Sequence, residues 1–213
     1  MPRTTVLLAD DHAIVAQGLA SLLSETFDLV GNVGDGRALL EAAKERKPDV
    51  IVTDISMPLL NGLDAVRQLK QEGIRSKVIV LTQHKETHYA VEAFRAGVSG
   101  YLLKMSAGDE LKSAIDEVMQ GRAYLTPLIA KDLISVLMEA RTASVETGPK
   151  LTSRQREILQ LIAEGKTAKE IGTMLEISTR TAEGHKYEIM SALGVKTTAE
   201  LVQQAIRLKL VDI

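Results

Sequence analysis

The chain has 213 residues, of which 45% are hydrophobic and 25% charged, and its formal net charge is −2. That length suits one large domain or two small ones, and no apolar run approaches the roughly 18–20 residues of a membrane-crossing helix. Cysteine is absent, which excludes disulfides and Cys-type zinc sites, while 3% aromatics with no Trp argue against single-strand binding by base stacking.

Met1 to Val6 leads directly into a strand, so no signal peptide is expected. Residues 4–9 are apolar and end in Asp10-Asp11, and a helix follows with Ile14, Val15, Gly18, Leu19, Leu22 and Leu23 on one stripe. A strand over 28–34 and a helix over 35–47 come next, the helix apolar at Leu39, Leu40 and Ala43. Val50 to Thr53 is a β-branched apolar run that enters Asp54 and is stopped by Pro58, the pattern of a buried parallel strand. Asn61-Gly62 marks a turn, and Leu63, Val66 and Leu69 give a third helix. A strand over 77–82 ends in Thr82, and a helix over 86–96 is closed by Gly97. A fifth strand, 99–103, ends in Lys104, and a helix over 106–120 is closed by Gly121. Five βα units predict a doubly wound, five-stranded parallel sheet for residues 1–122.

The pattern then changes. Thr126-Pro127 starts a helix with Ile129, Leu133, Val136 and Leu137 on one stripe to about Ala140, and 141–150 has no periodicity. Residues 123–149 therefore read as a linker holding one helix, and 150–213 as a small all-α domain of four helices. Thr152 with Gln155, Thr167 with Glu170 and Thr197 with Glu200 have capping-box spacing, Ser178 caps a further helix, and Gly165 and Gly194 end two of them.

Parallel strands end on one edge of their sheet, so Asp10, Asp11, Asp54, Thr82 and Lys104 should converge there. Clustered carboxylates repel unless a cation is present, and a hard oxygen site with few protein ligands suits Mg²⁺. The metal and Lys104 would stabilise charge on a phosphoryl group moving to Asp54, and Thr82 would offer a hydroxyl to a phosphate oxygen. His12 reads as a helix-start residue beside this cluster. His84 and His88 lie four apart without a third ligand and read as a solvated face.

In the tail, a helix from Thr167, a turn at Glu176-Ile177-Ser178 and a helix over 179–193 have the geometry that lays a second helix in a DNA major groove. Ala182, Ile189 and Leu193 should pack inward, and Arg180, Glu183, Gly184, Lys186, Tyr187 and Ser191 outward. Nine Lys/Arg against eight acids over 151–213 leave the tail near +1, so one copy should bind DNA weakly and with strong salt dependence.

With the five strand ends and the loop Met57-Pro58-Leu59-Leu60-Asn61-Gly62, residues 1–122 resemble the receiver domain of a two-component response regulator. Leu151-Thr152-Ser153-Arg154-Gln155-Arg156-Glu157, Ala163 to Ile171, Ile177 to Thr181 with His185, and Leu193-Gly194-Val195 resemble a LuxR-type helix-turn-helix domain. The whole is similar to the NarL/FixJ class. The resemblance implies that Asp54 is the phospho-acceptor, that Asp11 and Asp54 bind Mg²⁺ directly, Asp10 mainly through water and Ser56 through its backbone carbonyl. It also makes Thr82, Lys104 and Tyr101 the switch set, with Tyr101 turning inward on activation. Met105 stands where many such domains carry a cis proline. DNA contacts would come from Lys169, Thr179, Arg180, Thr181, Glu183, Gly184, His185, Lys186 and Tyr187. Thr181, His185 and Lys186 would lie near phosphates, and positions 183, 184 and 187 near base edges. Many relatives carry lysine at the place of Glu183, which instead can accept from cytosine N4.

The expected function is thus a DNA-binding transcriptional regulator of the bacterial cytoplasm, not an enzyme. A sensor histidine kinase would phosphorylate it, and it would form a homodimer when phosphorylated or bound to double-stranded DNA, without any membrane partner. Two alternatives stand beside this: a tail that only dimerises or docks a protein, and a phosphohydrolase with an aspartyl nucleophile. The second needs two aspartates spaced by one residue, whereas Asp10 and Asp11 are adjacent and point differently.

Overall fold

A computed structural model describes residues 3–83, 85–130, 133 and 151–211. The α/β part runs β1 (Thr5–Ala9), α1 (Ala13–Ser24), β2 (Asp28–Val33), α2 (Gly36–Arg46), β3 (Val50–Asp54), α3 (Gly62–Gln71), β4 (Lys77–Thr82), α4 (Thr87–Ala96), β5 (Gly100–Leu103), a 3₁₀ turn at Lys104–Ser106, α5 (Ala107–Met119) and β6 (Tyr124–Leu125). All strand pairs are parallel, in the order β2-β1-β3-β4-β5-β6. The chain leaves β1 in one direction and returns on its other side at β3, and ligands bind at such a reversal, outside the carboxyl ends of the strands.

Alternation along each strand divides the apolar residues between two faces. Leu7, Ala9, Ile51 and Val80 face one core with Leu39, Leu63 and Ala90, whereas Val6, Leu8, Val52 and Leu81 face the other with Leu19, Leu111 and Ile115. Every residue of β3 is buried, as its unbroken apolar run requires. The N-caps Asp35 and Asn61 accept from Arg37 and Ala38 N–H and from Asp64 N–H respectively, so α2 and α3 both start beside the sheet edge that holds Asp54.

The structure departs from the sequence reading in three places. A sixth strand of two residues pairs Tyr124 with Gly100 and Leu125 with Tyr101, too short to leave any periodicity. Ile14, expected on the buried stripe of α1, is 87% exposed, and Ala16, Leu19 and Leu23 carry that face. Lys104 opens the 3₁₀ turn instead of closing the strand, and no peptide bond in the described residues is cis. Thr126 is buried and its hydroxyl accepts from Leu103 N–H, with residues 127–130 and 133 helical behind it. The rest of the expected linker helix and the aperiodic stretch, residues 131–132 and 134–150, lie outside the described residues, as does His84.

The tail folds as α6 (Ser153–Ala163), α7 (Ala168–Met174), α8 (Thr179–Leu193) and α9 (Thr198–Arg207). All three capping boxes form, and Ser178 caps α8 without one. Gly165 and Gly194 take the left-handed φ, 82° and 66°, that ends a helix cheaply only for glycine. Ile158, Leu161, Ile171, Ala182, Ile189, Leu201 and Ala205 form a separate core.

Candidate phosphorylation site and nucleic-acid interface

β1 and β3 deliver Asp10, Asp11 and Asp54 to one spot. One ligand atom from each, together with one from His12, lies within 4.8 Å of all the others. The Lys104 ammonium bridges Asp10 Oδ2 at 2.8 Å and Asp54 Oδ2 at 2.5 Å, with only 8% of its side chain exposed. Asp54 Oδ1 accepts from Ile55 N–H at 2.6 Å. Burial pushes the Asp54 carboxyl above its ordinary range and Asp10 adds to the shift, while Lys104 works in the opposite direction. Burial lowers the Lys104 pKa, but its bonds to Asp10 and Asp54 outweigh that and leave the ammonium raised. The ammonium is thus held charged by two carboxylates, while burial is the main reason that Asp54 resists ionisation.

The clustered donors test the expected metal. The donors are carboxylate oxygens, with Ser56 lining the same cleft, a hard and partly open set that fits Mg²⁺ rather than a soft metal. Adjacent residues diverge as expected: Asp10 is buried, whereas the Asp11 side chain is 31% exposed at the mouth. His12 does start α1, but its imidazole also enters the cluster, with Nδ1 2.8 Å from Asp11 and 3.3 Å from Asp10. The sequence placed His12 beside the cluster, and the structure adds that its ring nitrogen faces the carboxylates.

Thr82 and Tyr101 are fully buried on neighbouring strands. Burial raises the Tyr101 hydroxyl well above its usual range, against the effect of its hydrogen bond with Thr82. Tyr101, expected to turn inward on activation, already points inward here.

Sequence reasoning missed the partner of this edge. The helical domain is docked on it. Gln160 of α6 donates to Met57 O at 2.9 Å and accepts from Asn61 N–H at 2.8 Å, while Glu164 accepts from Leu59 N–H at 3.0 Å. Leu59, at φ 66°, packs against the core of the helical domain. Arg156 donates to both carboxylate oxygens of buried Asp64 at 3.0 Å, and Arg37 reaches buried Glu157 at 2.5 Å and Met174 O at 2.9 Å. Ile206, Lys209, Leu210 and Val211 join Asp11, Asp54, Ser56 and Thr82 around one cleft of about 930 Å³.

On α8, Ala182 and Ile189 are buried, Leu193 is half-buried, and Thr179, Arg180, Thr181, Gly184 and Tyr187 are exposed. Glu183, His185 and Lys186 are partly exposed, with His185 Nδ1 3.2 Å from Glu188, and Lys169 is exposed on α7. The inward and outward faces are those the periodicity predicts.

Comparison with known proteins agrees with this anatomy. Residues 6–116 match the response regulator receiver domain family, and residues 149–205 match the luxR family of bacterial regulatory proteins. The chain belongs to the response regulators: a receiver domain followed by a LuxR-type DNA-binding domain. Within that class it is 36% identical to the transcriptional regulatory protein MctR of Rhizobium johnstonii, over 96% of this chain and 94% of that one. It is 33% identical to the oxygen regulatory protein NreC of Staphylococcus carnosus, over 97% and 99% of the two chains. RcsB of Salmonella enterica serovar Typhimurium, solved bound to a promoter with the phosphomimetic BeF3⁻, superposes with a TM-score of 0.59 at 25% identity, over 94% of this chain and 97% of that one. The protein is a transcriptional regulator of the two-component type.

Proposed function

We propose that a sensor histidine kinase transfers a phosphoryl group to Asp54 Oδ and that the phosphorylated protein binds paired DNA half-sites as a homodimer. The observation that carries this reading is the convergence of Asp10, Asp11, Asp54, Thr82 and Lys104 at one edge of the sheet, with Lys104 bridging two of the carboxylates. Asp11, Asp54 and the Ser56 carbonyl would hold Mg²⁺ directly and Asp10 through water. When bound, the ion supplies neutralising charge to the transferring phosphoryl oxygens. Lys104 keeps its proton and is free to move from Asp54 to a phosphoryl oxygen, and the Thr82 hydroxyl offers a further hydrogen bond. Asp54 attacks phosphorus, the bond to the donor breaks, and the donor leaves with the electron pair. Tyr101 fills the space behind Thr82 and keeps that hydroxyl oriented.

Lys169 and the α8 residues Thr179, Arg180, Thr181, Glu183, Gly184, His185, Lys186 and Tyr187 would form the DNA face, with cations on phosphates and Glu183, Gly184 and Tyr187 near base edges. The promoter-bound RcsB relative supports DNA as the ligand. Division into a receiver over 1–122, a linker over 123–149 and a DNA-binding domain over 150–213 belongs to the same proposal. The test is incubation with acetyl phosphate and Mg²⁺ followed by intact-mass analysis. One phosphoryl group should be gained by the wild type and none by Asp54→Ala; a phosphorylated Asp54→Ala protein contradicts the assignment.

A further inference from the structure

His12 is the N-cap residue of α1, yet its side chain makes no capping bond. Its backbone N–H donates to Asp10 Oδ1 at 2.9 Å, which ties the residue to the end of β1. The ring is turned to the carboxylates, with Nδ1 2.8 Å from Asp11 Oδ1, 3.3 Å from Asp10 Oδ1 and 3.9 Å from Asp54 Oδ2. Lys104 reaches Asp10 and Asp54 from the buried side, whereas the half-exposed imidazole and Asp11 line the open cleft. Asp10 Oδ2 is buried without a hydrogen bond of good geometry, although the Lys104 ammonium lies 2.8 Å away. A buried oxygen left so, beside three other donors, marks a place for a cation.

The donor set distinguishes two kinds of cation. Mg²⁺ takes oxygen donors in an octahedral array and keeps several waters, so it gains little from an imidazole. Zn²⁺ accepts imidazole nitrogen and carboxylate oxygen alike, and its closed sites have four protein ligands in a tetrahedron. Bonds of about 2.0–2.1 Å place tetrahedral donors about 3.3 Å apart. The three distances from His12 Nδ1, 2.8, 3.3 and 3.9 Å, straddle that value. The four donor atoms all lie within 4.8 Å of one another. Asp11 and His12 are the exposed members, at 31% and 52%, so they can turn to close the set, and the cleft gives the ion its way in.

We propose that Asp10, Asp11, His12 and Asp54 form a closed Zn²⁺ site, and that Zn²⁺ held there occupies the Asp54 oxygen that a phosphoryl group must join. The same sheet edge then has two mutually exclusive fillings. Mg²⁺ bound through oxygens keeps positions open for phosphoryl oxygens, whereas four protein ligands around Zn²⁺ leave none. His12 is the residue that discriminates, because it adds the one nitrogen donor. The chain thereby reads Zn²⁺ as a second input at the acceptor. Only the blocking of phosphoryl transfer rests on the reading of Asp54 as the phospho-acceptor.

The test uses the full chain, stripped of metal with a chelator. Calorimetric titration of the wild type should show one Zn²⁺ site about a hundredfold tighter than Mg²⁺ or more. His12→Asn should weaken Zn²⁺ by about tenfold or more and leave Mg²⁺ affinity within about twofold, since even losing a supporting partner of a ligand costs about 10–100-fold. Asn is favoured at N-caps, so α1 keeps its start, and the retained Mg²⁺ binding shows that the variant is folded. Co²⁺ in place of Zn²⁺ should give the wild type the intense visible absorption of four-coordinate Co²⁺. The faint spectrum of six-coordinate Co²⁺ overturns the proposal whatever the variant does. So does Zn²⁺ binding equally tight in His12→Asn, the mark of an adventitious ion only. With Mg²⁺ present, one equivalent of Zn²⁺ should slow acetyl phosphate labelling of Asp54 by about tenfold or more in the wild type and far less in His12→Asn. Labelling that ignores Zn²⁺ in the wild type overturns the blocking. If Asp54 takes no label even without Zn²⁺, the acceptor reading itself fails, while calorimetry and spectra still decide the metal site.

Discussion

Three carboxylates meet at the strand edge and the Lys104 ammonium bridges two of them, which sets what single substitutions should do. Asp54 has a raised pKa in the folded chain, burial being the main cause. A carboxyl raised on folding binds its proton more tightly in the native state, so stability falls as pH rises from the unfolded value through the folded one. Asp54→Asn should therefore melt higher than wild type at pH 7 in the absence of Mg²⁺, by about 3 °C. The gap should close as pH falls toward 4, and thermal melts across pH read it directly. Lys104 does not reverse the sign, because Asp10 remains 2.8 Å away to hold its charge. Gly62 is a second sensitive position. A Cβ there would lie 1.8 Å from Asp54 O, against backbone that cannot step aside. Gly62→Ala should cost about 1–3 kcal/mol or more and slow acetyl phosphate labelling, whereas the open surroundings of Gly184 make Gly184→Ala harmless to folding. An unchanged melt for Gly62→Ala would contradict the packing described.

At the scale of elements, what was legible is what local chemistry determines. β3 announces itself because a strand buried on both faces has no polar position to spare. The four tail helices announce themselves through caps, since Ser178 and the three capping boxes are local and leave fixed spacings. The convergence of Asp10, Asp54, Thr82 and Lys104 also followed, because parallel strands share one edge. β6 was not legible, since two residues hold no period and its pairing depends on Gly100 and Tyr101 from elsewhere. Ile14 was misplaced because it fits the helical stripe of α1 but lies in its first turn, where it is exposed. The polar face of α6 left no local signal of its burial. Glu157 and Gln160 are 4% and 1% exposed, and their partners are 99 to 120 residues away in sequence. For α8 the prediction concerns salt. Arg180 is exposed on the open face, so Arg180→Ala should weaken binding to all duplexes alike and reduce the slope of log K against log salt by about 1. A change confined to one operator sequence would instead make Arg180 a base reader.

For the molecule as a whole, two modules meet through hydrogen bonds, ion pairs and the Leu59 side chain, at the loop after Asp54 and the first turns of α2 and α3. The tail carries almost no net charge, so a single copy has little electrostatic hold on DNA, and on the proposed function pairing of copies would supply the rest. On the proposed function, a phosphoryl group at Asp54 would bias a two-state equilibrium toward the DNA-binding form. The decisive measurement is a DNA-binding titration on genomic fragments, with and without acetyl phosphate and Mg²⁺, for wild type and Asp54→Ala. The account predicts that the phosphodonor tightens specific binding in the wild type alone. Specific binding that ignores the phosphodonor, or a gain of equal size in Asp54→Ala, would contradict it.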